Sequence, residues 1–437
     1  MIARPGRHRI ALVVIFSTIL IDFIGFSILL PVLPSFVREL GAESYHVPLI
    51  TALYALALVL FLPLWGWISD RIGRRPVLLV SLLGTALSFV LLASSESLRS
   101  VYIARFLGGF FGASIGTAQA YMTDLTDADS RAEGMGLLGA AAGIGLVLGA
   151  ALGGALAYVN PTLPFWVTAA VAGLNFALAT CTLPESRTPE PATVGWRGFA
   201  RVLIPTPILV AASVHNNQTR LYLYLFLHIF FAFSAIEAMF PLFAQDRFGW
   251  NELQIGLFMA LVGVVLGSTQ GFMLLPLVRA WGEAATTAVG LAVMGASTVA
   301  LSMSFAFPWL VFFGIGLAVG AGLALPTLTS LFSKVCGEHA AGEYLSQSQA
   351  MVHSGRALGA FCWGWVFYAA GTGAPFLFSG LGTLGALLIF VLGARVLLPE
   401  GLIPPGNRVS SAARTRGGPL RNSVRGHERP GARATGR

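Results

Sequence analysis

Gly66-Trp-Ile-Ser-Asp70-Arg71-Ile-Gly73-Arg74-Arg75-Pro76 is a dense charged turn wedged between two long apolar runs. The 437-residue chain around it is 56% hydrophobic and only 11% charged, a balance that a water-soluble globule does not show. Apolar stretches of about 20 residues recur from end to end, each long enough to cross the hydrocarbon core as a helix. Lipid leaves helices or a closed barrel as the spanning options, and barrel strands alternate polar and apolar residues. These runs are apolar on all sides, so the sequence predicts an all-α polytopic membrane protein.

Twelve spans are expected, at residues 10–34, 48–68, 76–95, 98–122, 134–157, 163–181, 221–243, 253–274, 284–303, 306–330, 345–368 and 373–396. The first continues through Gly25 and Pro31 to Pro34 without a small-residue cleavage site, so it reads as a span and not as a signal peptide. Cys181, Cys336 and Cys362 sit in or near separate runs without metal-ligand spacing and read as small apolar filler.

Charge orients the chain. Arg4, Arg7 and Arg9 precede the first run, Arg71, Arg74 and Arg75 follow the second, and Arg187, Arg197, Arg201 and Arg220 follow the sixth. The opposite loops offer Arg38, Arg99 and Arg247. The positive-inside rule then places both termini in the cytoplasm, with the protein in the cell inner membrane. The tail after residue 400 holds eight arginines and one glutamate among Gly and Pro and is expected to be disordered. With no folded module behind it, its charge reads as orientation plus attraction to anionic lipid, not as nucleic-acid binding.

The expected organisation is an N-terminal six-helix bundle (1–181), a cytoplasmic linker (182–220) containing Pro184, Pro189, Pro191, Pro205 and Pro207, a C-terminal six-helix bundle (221–396) and the basic tail (397–437). Pro34-Ser-Phe-Val-Arg38-Glu39-Leu-Gly41, closing the first run, is echoed by Pro241-Leu-Phe-Ala-Gln245-Asp246-Arg247-Phe-Gly249, closing the seventh. Two matched bundles suit a transporter whose central cavity opens to either side. In the fifth run Gly145, Gly149 and Gly153 are four apart, with Gly154 beside them, so one helical face admits a close backbone neighbour.

Ions kept inside lipid-spanning runs face a partner or a wet cavity. Asp22, Arg105, Glu237 and Arg356 are such ions, and His353 is one turn from Arg356. Fixed helix-holding pairs, proton carriage and direct substrate contact all remain open. A carboxylate in an apolar cavity holds its proton more tightly than in water, and an arginine opposes this. Alternating exposure of Asp22, or a changing distance to Arg105, would therefore couple protons to movement. Glu237 is a second carrier or a site for a cationic substrate, Arg356 reads as a structural or gating counter-ion, and His353 as a packed neutral ring. In the charged turn, Gly66 and Gly73 permit tight packing, Pro76 suits a helix start, and Asp70 can cap a helix N-terminus across the domain as a conformational latch. Asn175 with Phe176, Phe231, Phe233, Gln270, Trp363 and Trp365 are expected to line a substrate site near mid-membrane, able to hold a flat lipophilic molecule.

The Gly66–Arg75 turn resembles the signature of the major facilitator superfamily, in which it acts as a gate. Residues 102–124, with Arg105, Gly109 and Gly116, resemble that superfamily's span-four motif, and Gly136, Gly145, Gly149, Gly153 and Gly154 resemble the span-five motif of its twelve-span drug:proton antiporters, although Ala150 replaces the usual proline. Asp22-Phe-Ile-Gly25-Phe-Ser-Ile-Leu-Leu-Pro31-Val-Leu-Pro34, Arg71-Ile-Gly73-Arg74-Arg75-Pro76 and Asp246-Arg247-Phe-Gly249-Trp250-Asn251 are similar to bacterial tetracycline efflux proteins, with Gln270 at a polar substrate-associated position. Ser88 replaces an expected intramembrane aspartate and Leu266 an expected histidine, so the resemblance implies a more hydrophobic substrate than a metal–tetracycline chelate. It implies proton-coupled efflux of a small lipophilic compound by a monomer embedded in lipid, without cofactor, metal or catalysis. Uptake of a metabolite by the same fold, or a receptor-like scaffold, are the alternatives. A phosphate-binding loop with Lys-Ser or Lys-Thr is missing from the sequence, which argues against an ATPase.

Overall fold

Every regular element among the described residues is helical in the computed structural model, which describes residues 5–112, 114–125, 131–186, 217–336 and 341–397. The N-terminal set comprises α1 (Pro5–Ser27), α2 (Leu29–Glu39), α3 (His46–Ile72), α4 (Arg74–Ala93), α5 (Leu98–Phe111), α6 (Ser114–Leu125), α7 (Arg131–Val159) and α8 (Leu163–Thr182). The C-terminal set comprises α9 (Asn217–Phe248), α10 (Glu252–Ser268), a π-helical turn (Thr269–Met273), α11 (Leu274–Trp281), α12 (Glu283–Ser302), α13 (Phe307–Cys336), α14 (Ala341–Ala370) and α15 (Ala374–Leu397). Residues 187–216 of the expected linker and 398–437 of the expected tail lie outside the described residues. Cys181 and Cys362 are free thiols, and the Cys336 side chain is outside the described set.

The expected twelve spans in two six-helix bundles are corrected by this architecture. Among the described residues ten helices are long and apolar enough to cross a membrane, or eleven when one bent pair counts as a single span. Two local causes explain the shortfall. The first run is broken by 42° between α1 and α2. Pro31 sits in the first turn of α2, where its missing N–H costs nothing, but its ring crowds the carbonyl of Ser27 four residues back. The run expected at 345–368 lies in α14, which is not among the ten, and Gln347, Ser348, Gln349, His353, Ser354 and Arg356 make its first half polar.

Turn chemistry matches the sequence echo. Gly41 and Gly249 both have positive φ, 72° and 65°, and end the helices that carry Arg38 and Gln245. After Gly249, Asn251 forms a capping box with Gln254: its Oδ1 accepts from the Gln254 N–H at 3.0 Å, and its own N–H donates to Gln254 Oε1 at 3.1 Å. Within the N-terminal set α1 packs against α7 and α8; within the C-terminal set α9 packs against α14 and α15. The sets meet where α7 lies on α10 and α3 on α14.

The glycine rows govern these approaches. A Cβ at Gly145 would sit 2.6 Å from the Leu20 carbonyl oxygen, and one at Gly149 2.6 Å from that of Ile24. Gly153 abuts the Ile28 carbonyl in the same way, so this face of α7 seats the backbone of α1. Gly154, one residue on, instead meets the Glu252 carbonyl of α10 and joins the two sets.

Candidate functional site

Five helices converge on a narrow cavity of about 40 Å³: α1 supplies Asp22 and Phe26, α3 supplies Tyr54, α6 supplies Ile115, α9 supplies Glu237, and α14 supplies His353 and Arg356. The Arg356 Nη2 donates to Glu237 Oε1 at 3.0 Å, with the two side chains only 17% and 9% exposed. The pair is internal to the C-terminal set. Phe26 of the other set covers it, its ring 5.3 Å from the guanidinium, opposite Phe230 at 5.2 Å. The Arg105 guanidinium lies 4.1 Å over the Tyr54 ring, and its buried Nε has no hydrogen-bond partner among the described residues. Tyr54 lines the cavity beside Asp22 and Arg356 and carries Arg105 over its ring, so one tyrosine joins the charged groups of both sets. Three sequence-expected ions and His353 thus share one site, and Arg105 borders it through Tyr54. Ion removal from water on this scale is costly and is tolerated only with partners in place.

At the end carrying the 66–76 turn, Gly73 has φ 100° and separates α3 from α4. The Glu185 carboxylate accepts from the Arg74 N–H at 2.8 Å and the Arg75 N–H at 3.1 Å, capping the positive end of α4. A Cβ at Gly73 would fall 2.5 Å from that carboxylate. Arg74 bridges Asp70 at 2.7 Å and Asp124 at 3.4 Å, Arg75 donates to the Thr180 carbonyl at 2.7 Å, and Arg71 lies 3.6 Å from the Trp67 ring. Gly66 has open space beside it. In this conformation the turn is therefore knit to α6 and to the end of α8, within its own set. Asp70 is paired with Arg74 here.

Sequence reading missed Glu185, although a carboxylate fixed behind Pro184 and facing a basic turn was a usable signal. The counterpart turn, legible in the sequence only as a faded version from Gly271 to Arg279 and Glu283, carries an ion pair of its own. Gly282, with φ 81°, precedes Glu283, which bridges Lys334 at 2.7 Å and accepts from Ser330 Oγ at 2.8 Å. Arg74 with Asp124 and Glu283 with Lys334 each tie the first residue of a helix, α4 and α12, to a neighbouring helix, with inverted sign.

The opposite end is shut. Arg38 Nη2 donates to Gln245 Oε1 and lies 4.0 Å from Asp246, and the Tyr368 hydroxyl donates to Glu43 Oε2 at 3.4 Å. A Cβ at Gly364 would be 2.5 Å from Pro48, and one at Gly256 2.5 Å from the Ala150 carbonyl. Toward the turn end, Gly136, Gly139 and Gly143 of α7, and Gly267 and Gly271 across from them, have nothing within 4 Å of their Cβ positions. The two sets touch at the far end and part at the turn end, leaving a cleft of about 750 Å³ whose lining includes Phe233, Glu237 and Gln270.

The remaining expected lining residues scatter. Asn175 is buried, accepting from Ser17 Oγ at 2.8 Å and donating to Thr18 Oγ1 at 3.1 Å, so it ties α8 to α1. Trp363 donates its indole N–H to the Phe231 carbonyl at 2.7 Å and packs on that ring at 4.8 Å, inside the C-terminal set. Trp365 is 71% exposed and belongs to a separate recess beside Tyr45 and Tyr368.

This geometry has relatives. The family model described as Major Facilitator Superfamily matches residues 15–360. The chain is similar to "Tetracycline resistance protein, class C" of Escherichia coli, 31% identical over 74% of this chain and 81% of the relative, and to the class B protein of the same organism, 32% identical over 76% and 82%. Its fold is that of the human organic anion transporter MFSD10 (TETRAN), with a TM-score of 0.69 and 24% identity, covering 89% of this chain and 100% of that one. The chain belongs to the major facilitator superfamily, and it is a multi-pass membrane protein and a secondary transporter of a small organic molecule, not an enzyme.

Proposed function

We infer that this protein couples proton movement to the passage of a small lipophilic organic compound between its two helix sets by alternating access. The observation that carries the reading is the shared cavity in which Asp22, Glu237, Arg356 and Tyr54 converge from both sets, because tilting one set against the other must change what these charges face. Asp22 belongs to the N-terminal set and the Glu237–Arg356 pair to the C-terminal set, so their separation is a variable of the cycle. Arg105, held over the Tyr54 ring, keeps a positive charge at the edge of the same cavity. The turn of Gly66, Asp70, Arg71, Gly73, Arg74 and Arg75 serves as the gate at the open end, and the basic residues there favour a cytoplasmic placing of that end and of both termini.

Export and uptake use the same cavity. Resemblance to resistance proteins supports export of a drug-like compound. The uptake reading stays beside it, because the mainly apolar cleft is compatible with either direction. The full-length protein in proteoliposomes, given a panel of lipophilic compounds and an imposed pH gradient, separates these outcomes. Coupled export requires substrate to move against the proton gradient; coupled uptake requires both to move together. Asp22→Asn is expected to retain binding and lose the dependence of flux on the pH gradient. Unchanged pH-driven flux in that variant would remove Asp22 from the mechanism, and flux indifferent to pH in the wild type would remove proton coupling altogether.

A further inference from the structure

Along the other seam between the two sets, where α3 lies on α14, the shut end carries a recess of about 440 Å³. Its floor is the point at which Pro48 seats against the bare backbone of Gly364. Phe361, Trp365 and Tyr368 follow one another at helical spacing and form one stripe on α14, exposed by 58%, 71% and 56%. Tyr45, at the start of α3, faces them from the other set, its ring edge-on to that of Tyr368 at 5.8 Å. Tyr45 is itself held in place: its ring lies 4.0 Å from the His46 imidazole, whose Nδ1 hydrogen-bonds with the Tyr102 hydroxyl at 2.9 Å. At the rim the Tyr368 hydroxyl donates to the Glu43 carboxylate at 3.4 Å.

The recess changes character with depth. Tyr45 precedes α3 and Tyr368 lies near the end of α14, so both stand at the membrane boundary, where Tyr and Trp settle among headgroups. Phe361 is two turns deeper, about 10 Å. α3 is long and apolar enough to cross a membrane, and residues 357–370 of α14 include no charged side chain, so this deep end meets acyl chains. An aromatic belt explains Trp365 or Tyr368 taken singly. It does not explain a concave site walled by rings and rimmed by a carboxylate. The π faces and Glu43 both attract a cation, while Leu49 and Phe361 offer a surface to hydrocarbon.

We propose that this recess binds phosphatidylethanolamine, with the headgroup ammonium seated between Glu43 and the rings of Trp365 and Tyr368, and the start of an acyl chain along Leu49 and Phe361. Because α3 and α14 belong to different sets, the site is whole only while this end is shut. A ligand that binds one state better shifts the equilibrium toward it, so the bound lipid braces the conformation described here. Anionic phosphatidylglycerol brings no cation and meets Glu43 with like charge. The inference goes beyond the proton-coupling reading and does not depend on it.

The test titrates delipidated full-length protein in detergent with phosphatidylethanolamine or phosphatidylglycerol of identical chains, and reads the lipid-bound species by native mass spectrometry. Phosphatidylethanolamine is expected to bind about tenfold more tightly. Glu43→Gln and Trp365→Ala, both at exposed positions, should keep the wild-type melting temperature and lose that preference. Phe312→Ala, at a position 63% exposed and outside the recess, should retain it. Glycerophosphoethanolamine, the headgroup without chains, should not displace the lipid at equal concentration. In nanodiscs, spin labels at 139 and 267 should stand farther apart in phosphatidylethanolamine than in phosphatidylglycerol, and Trp365→Ala should erase the difference. Equal binding of the two lipids, tighter binding of phosphatidylglycerol, a preference that survives in both recess variants, or displacement by glycerophosphoethanolamine would each overturn the site. The same 139–267 distance in both lipids would overturn its bracing role.

Discussion

Arg356→Ala is expected to abolish coupled transport and to lower stability by about 3–5 kcal/mol, because it strands the Glu237 carboxylate in a site where it is only 9% exposed. The loss would come from the orphaned charge more than from the contact. The double variant Glu237→Ala/Arg356→Ala is therefore expected to recover most of the stability and none of the transport. Thermal unfolding in nanodiscs alongside flux in proteoliposomes reads both quantities. A single variant that melts with the wild type would mean the pair is wetter and weaker than its geometry implies. A double variant that transports would remove the pair from the mechanism.

Gly149→Leu is expected to be the most disruptive apolar substitution in α7. A Cβ there already stands 2.6 Å from the Ile24 carbonyl oxygen and also meets Ser27, so the remaining side-chain atoms have no way out but to push α1 away. Overpacking of this kind costs about 1–3 kcal/mol in adaptable cores, and a backbone-to-backbone contact has less room to adapt. The contrast lies two turns back on the same helix: Gly143→Leu enters open space and should leave folding unchanged. Yield and melting temperature of the two variants check the expectation. Equal behaviour would show that α1 and α7 are not held at the separation described.

Those two sites also show what a sequence can reveal. The α7 glycine row was legible because four-residue spacing puts Gly145, Gly149 and Gly153 on one face whatever the neighbour is. That the neighbour is α1, and that Gly154 turns to α10, depends on tertiary packing that spacing does not encode. The intramembrane ions were legible for a similar reason, since charge in an apolar run stands out without any structure. The pairing of Glu237 with Arg356 was not, because the two lie on different helices far apart in the chain. Span counting failed where local chemistry interrupts a long pattern. Pro31 bends one run at Ser27, and the inward-facing polar residues of α14 dilute another. An amide in a membrane helix signals that a partner exists without naming it; for Asn175 in this conformation Ser17 and Thr18 supply it. The counterpart of the charged turn read only as a faded version, from Gly271 to Arg279 and Glu283, because Glu283 and Lys334 invert the signs of Arg74 and Asp124.

The central claim is that the two helix sets, shut at one end and parted at the other, exchange those states. Spin labels at positions 139 and 267 report the parted end, and labels at 43 and 368 the shut end, in a cysteine-free full-length protein studied by pulsed electron paramagnetic resonance across pH and with substrate. The expected result is reciprocal: the 139–267 distance shortens as the 43–368 distance lengthens. Distances that stay fixed at both ends under every condition, or that change together in the same direction, would contradict it.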